Sequence, residues 1–87
     1  MVVEQQTSFQ LAQRRLAVRR FWRSEPEKRQ KATTYGFAQT LGTSTTVVNE
    51  FENGHREDLS NGKTRADYVR LLERLENEVE RKQRKAS

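Results

Sequence analysis

Cysteine is absent from this chain, and histidine and proline occur once each, as His55 and Pro26. The first absence excludes disulfides and thiolate metal sites. A single imidazole does not make a metal site either. Long apolar runs are also missing. No stretch approaches the ~20 residues that a membrane span needs, and the opening MVVEQQTSFQ lacks the basic-then-apolar layout of a secretion signal. The expectation is a cytoplasmic protein with no membrane partner. Apolar residues are scarce overall, at 32% against 33% charged in 87 residues. That length allows one domain, spanning 1–87. Its stability should be marginal unless it oligomerises or binds something. There is no nucleophile–base pair, phosphate loop or metal cluster, so neither an enzyme, a cofactor nor a small-molecule ligand is expected. Acidic residues are outnumbered 12 to 17, leaving a net charge of +5. That excess suits a polyanionic partner, although it also serves solubility alone.

What is present reads as helices joined by short turns, an all-α fold of four to five helices. Thr7 with Gln10 matches a capping box. Phe9, Ala12 and Leu16 then share one helical face, and Phe21 and Trp22 close the segment. Ser24 opens SEPE, with Pro26 tolerated in a first turn and Glu27 at the capping-box position. The helix that follows stops near Lys31 or runs on into the next. Thr33 or Thr34 caps a segment that turns Phe37, Ala38 and Leu41 inward, and Gly42 ends it where a left-handed residue is favoured. Thr43 or Ser44 starts the next helix, whose apolar side is Val47, Val48 and Phe51 and which Gly54 stops. HREDLSNG is loop-like, with Asn61-Gly62 a turn signal. Thr64 with Asp67 is a third capping box, opening a longer C-terminal helix over about 65–83. Its apolar positions, Tyr68, Leu72, Leu75 and Val79, form about two heptads of seam. They serve either as core or as a homodimer contact. Glu78–Lys82 and Glu80–Arg84 are placed to pair at i,i+4. The basic tail, 81–87, has no apolar anchor and is expected to fray.

The segment from about 33 to 54 is the most patterned. Two helices crossing steeply through a tight turn need a small residue at the crossing, a residue without steric penalty in the turn, and an apolar inner face on the second helix. Ala38, Gly42, Val48 and Phe51 supply these. The outer face of the second helix is then Ser44, Thr45, Thr46, Asn49 and Glu50. Such short hydrogen-bonding side chains suit a helix entering a DNA major groove N-terminus first. The same residues also suit an ordinary helix corner with capping side chains.

FAQTLGTSTTVVNEFENG resembles the helix-turn-helix of the phage repressor and Cro group, the XRE-like family, through Ala38, Gly42, Val48 and Phe51 followed by Glu52-Asn53-Gly54. The resemblance covers about a quarter of the chain. It implies base contacts from Thr45, Thr46, Glu50 and Asn49, and a phosphate contact from Asn53. It also implies a buried ion pair from Glu52 to an arginine of the first helix, by position Arg19 or Arg20. Thr34 stands where the family has a backbone-anchoring glutamine. The stretch Ser24–Ala32 has no counterpart in the family's short first connection.

Lys and Arg are kept out of the motif and flank it: Lys28, Arg29, Lys31 and the first-helix arginines Arg14, Arg15, Arg19, Arg20 and Arg23 on one side, the latter either a solvated face or a phosphate contact, and Arg56, Lys63 and Arg65 on the other. Phosphates give affinity and base edges give specificity, so this division fits a double-stranded DNA operator as partner. The expected function is a sequence-specific transcriptional regulator of the phage type, a homodimer at least on DNA. The alternative is an antitoxin-like or adaptor module that grips a protein through its last helix.

Overall fold

The computed structural model describes residues 7–86. Five helices fold together: α1 (Ser8–Phe21), α2 (Pro26–Lys31), α3 (Thr34–Leu41), α4 (Thr45–Glu52) and α5 (Arg65–Ala86). No strand occurs among the described residues. The expected all-α fold, with a central helix-turn-helix and a longer last helix, is what forms.

α1 starts at a complete capping box, with the Thr7 hydroxyl accepting from Gln10 N and the Gln10 side chain accepting from Thr7 N. Its buried face differs from the expected one. Ala12 is buried as expected, but it is Leu11, Arg15, Val18 and Trp22 that accompany it inward, whereas Phe9 is 66% exposed, Phe21 is exposed and Leu16 is only half-buried. Spacings of four, three and four make a regular helical stripe. An arginine at its second position conceals it from hydropathy, and the exposed aromatics Phe9 and Phe21 lie off it.

α2 is a separate helix. Its N-cap is Glu25 rather than Ser24, with no side-chain cap bond, and Pro26 holds the first position. The next corner is tight. α3 is capped by Thr33, whose hydroxyl accepts from Gly36 N. A Cβ on Gly36 would sit against the Gln30 carbonyl oxygen and 2.9 Å from both Lys31 Cα and Lys31 O. Only glycine lets α3 approach the end of α2 this closely.

α3 closes on Gly42, at φ 70°. Thr43 N donates to Ala38 O and Gly42 N to Gln39 O, the paired bonds of a Schellman ending. α4 follows at once from Ser44. Phe37, Ala38, Leu41, Val48 and Phe51 are all buried, as the pattern requires. The loop after α4 is pinned rather than loose. Leu59 is buried, Asn61 adopts φ 60°, and Asn61 Nδ2 donates to Gly42 O at 2.7 Å.

α5 opens with Asp67 accepting from both Thr64 N and the Thr64 hydroxyl. The Thr64 backbone N–H in particular holds the Asp67 carboxyl below its ordinary range. The helix runs parallel to α1. Arg65 reaches Ser8 at one end, Arg14 binds Glu76 in the middle, and Phe21 shares a groove with Val79 and Gln83 at the other end.

The seam belongs to the core of its own chain. Tyr68 and Leu72 are fully buried, Leu75 nearly so, and Val79 packs partly buried against them. Tyr68 lies between the rings of Phe37 and Phe51, each 4.9 Å away. The expected dimer seam is thereby corrected. In a chain this poor in apolar residues, the last helix supplies a large share of the core. α5 also extends to Ala86, through most of the segment expected to fray. Arg84 pairs with Glu80, and basic residues suit a helix C-terminus. The other expected i,i+4 pair, Glu78–Lys82, does not form.

Candidate nucleic-acid interface

α4 carries its polar residues on one side and its apolar residues on the other. Val48, Phe51 and Glu52 face inward. Thr46, Asn49 and Glu50 are exposed, and Thr45 is half-buried. Ser44 is exposed but already employed, since its hydroxyl caps the helix by accepting from Val47 N at 3.2 Å. No Lys or Arg lies within Thr45–Glu52. Glu50 has a counter-charge nearby, Arg56 Nη1 at 3.6 Å. The carboxylate next to the threonines is therefore partly neutralised by the loop that follows.

The flanking polar and basic residues do not form one row. Asn53 is the exposed C-cap of α4. Thr34 is half-buried at the first position of α3, and Lys31 and Lys63 are exposed. Arg29 donates to Arg23 O at 2.9 Å and lines a groove with Leu16, Arg19, Arg20 and Arg23. Lys28 points elsewhere. Its Nζ lies 4.3 Å over the Trp22 ring, in a groove shared with Glu78 and Lys82 of α5. Adjacent residues on a short helix point about 100° apart, which separates Lys28 from Arg29.

A buried polar network ties α4 to the body. Arg15 Nε and Nη2 donate to the two Glu52 carboxylate oxygens at 2.7 and 3.0 Å. Arg15 Nη1 donates to Ala32 O at 2.9 Å, and the Tyr68 hydroxyl donates to Glu52 Oε2 at 2.5 Å. The expected buried ion pair of Glu52 exists, but its partner is Arg15, and Arg19 and Arg20 are exposed. Helical phase excludes Arg20, which points roughly opposite to the stripe of Leu11 and Arg15 that meets α4; Arg19 follows Arg15 by one turn and is exposed in the last turn of α1.

Burial alone lowers the Arg15 pKa. The hydrogen bond and charge of Glu52 outweigh it, so the guanidinium holds its proton above the ordinary value. Burial first, then Glu52, pushes the Tyr68 phenol up, which keeps it a donor. No buried side-chain nitrogen or oxygen among the described residues lacks a partner. The network thus fixes α4 simultaneously to α1, to the end of α2 and to α5.

Sequence reasoning missed Arg15 and the hydroxyl of Tyr68. The usable signal was the phase of Arg15 relative to Leu11, Val18 and Trp22. No group of three or more His, Cys, Asp or Glu suited to a metal occurs among the described residues. No helix among them is long and apolar enough to cross a membrane. Compared with protein-family models, with curated proteins and with solved structures, the chain matches none.

Proposed function

We propose that this protein is a sequence-specific double-stranded DNA-binding regulator of the phage repressor and Cro kind, with α4 as the reading helix. The observation that carries the reading is the outer face of α4. Exposed Thr46, Asn49 and Glu50 beside Thr45 are held on a helix whose inner face is locked by Val48, Phe51 and the Arg15–Glu52–Tyr68 network. Short donors and acceptors on a rigid helix meet what base-edge readout needs. Phosphate affinity is left to the cations outside the helix. The proposed backbone contacts are Thr34, Asn53, Arg56, Lys63, Arg29 and Lys31. Lys28, turned towards α5, is not among them.

The alternative, an antitoxin-like or adaptor module that grips a protein through its last helix, is favoured if DNA binding is absent or purely non-specific; it would have to use faces of α5 other than Tyr68, Leu72 and Leu75, which are buried in their own chain. The deciding experiment is footprinting on DNA around the protein's own gene. A protected site supports the reading, and two related half-sites about 34 Å apart would mean two copies on adjacent major grooves. Thr46→Ala and Asn49→Ala should each weaken binding to that site by about 1–3 kcal/mol while hardly changing binding to random duplexes. Equal losses on both DNAs would remove α4 as the reading helix.

A further inference from the structure

Some of the positive charge is paired and some is not. Arg14, Arg15, Arg56, Arg70 and Arg84 each have a carboxylate within 4.0 Å. Arg19, Arg20, Arg23 and Arg29 have none among the described residues. Those four arginines line one groove around the half-buried Leu16. The bond from Arg29 to Arg23 O ties the α2 side of the groove to the end of α1. Gathering like charges without counter-charges opposes folding. The C-terminal dipole of α1 offsets this only within its last turn.

The groove also has a definite side. Arg14 and Phe21 mark the flank of α1 that meets α5. At about 100° per residue, Leu16 and Arg19 lie on the opposite flank, and Arg23 follows in the turn after α1. No Cα of α2 or α4 comes within 8 Å of a Cα of α5, while both helices pack on α1. The groove therefore opens on the flank of α1 away from α5, where Arg29 of α2 joins it.

We propose that the groove of Arg19, Arg20, Arg23 and Arg29 is a phosphate clamp that grips the backbone of the duplex whose major groove receives α4. The ligand atoms are phosphodiester oxygens. Guanidinium groups suit them because their planar forks donate two parallel hydrogen bonds and stay charged at any working pH. The clamp contributes affinity and orientation and reads no base. It rests on the DNA-binding reading but, Arg29 apart, uses residues that reading does not, and the reading helix is tested by Thr46→Ala, so the two fail separately.

The test is fluorescence anisotropy of the full chain with a labelled duplex carrying the footprinted site and with a random duplex of equal length, across a salt series. The variants are Arg19→Gln/Arg23→Gln/Arg29→Gln, its lysine counterpart, and Thr46→Ala. Each neutralised phosphate contributes roughly −0.9 to the log–log salt slope. The glutamine triple should flatten the slope by about 2 to 3 on both duplexes, with the melting temperature unchanged or raised. The lysine triple should keep most of the slope. An unchanged slope in the glutamine triple overturns the clamp even if Thr46→Ala shows that α4 reads DNA. A fall in melting temperature with an unchanged slope assigns these arginines to helix stabilisation instead. A flattened slope with no effect of Thr46→Ala keeps the clamp and removes the reading helix. If the parent binds no duplex, both proposals fall. Equal slopes on duplex RNA and DNA would overturn the assignment of the groove to DNA.

Discussion

Glu52 is a carboxylate in the core of a small domain, and its neighbours determine whether it stabilises or destabilises the fold. It receives two hydrogen bonds from Arg15 and one from Tyr68. Removing one partner of a buried ion pair leaves a charge without compensation, typically at about 3–5 kcal/mol. Glu52→Ala and Arg15→Ala should each lower the melting temperature steeply. Replacing Arg15, Glu52 and Tyr68 together with Met, Leu and Phe should restore much of the loss, because no charge then remains buried. Calorimetry of the three proteins checks this, and a triple variant no better than the worst single one would contradict it. Tyr68→Phe isolates the phenol. A tyrosine whose pKa is raised by folding stabilises fully below its unfolded value of about 10, and the contribution is lost as pH rises above that. Denaturant titrations should show the parent losing stability above about pH 10 more steeply than Tyr68→Phe. Gly36 is a second residue whose role depends on its surroundings. Alanine there should gain up to about 1 kcal/mol in helix propensity. The backbone of Gln30 and Lys31 occupies the space, and overpacking of this kind typically costs about 1–3 kcal/mol. Gly36→Ala should therefore have a lower denaturation midpoint than the parent.

At the scale of elements, α5 combines two tasks that its sequence pattern does not separate. Its first half completes the core through Tyr68, Leu71, Leu72 and Leu75, and its second half extends a basic surface through Arg81, Lys82, Arg84 and Lys85. Leu72→Glu with Leu75→Glu should therefore abolish the fold rather than dissociate a dimer, with loss of helical circular dichroism and of a cooperative melt. A folded double variant of halved mass by light scattering would mean that the seam is an interface after all. The helix-turn-helix behaved differently. Its small residue, its turn glycine and its apolar inner face all fell where their spacing put them, because each answers a local demand of the corner. α1 was misread because one buried arginine interrupts its stripe. Hydropathy assigns any arginine to solvent, and nothing local reveals that Glu52, 37 positions on, will meet it.

Across the whole molecule the charge is uneven. The ends of α1, α2 and α5 gather most of the cations, while the ion pairs are scattered over the core, the loop after α4 and the length of α5. Self-repulsion among exposed charges is screened over about 10 Å at 0.1 M salt. The melting temperature should therefore rise as salt is raised from roughly 10 mM to about 0.15 M. A flat or falling response in differential scanning calorimetry would mean that attractive pairs dominate. The sequence by itself left the helices at four or five, and it determined the helical class, several of the caps, the corner between α3 and α4, and which residues α4 turns outward. These follow from neighbours within four or five positions, where periodicity and capping chemistry act. Tertiary structure alone decided that Arg15 is the partner of Glu52, that Lys28 and Arg29 part company, that Gly36 admits α3 against α2, and that the C-terminal seam is core. Each of those depends on which distant surfaces meet, and a chain so short of apolar residues spends nearly all of them on that meeting.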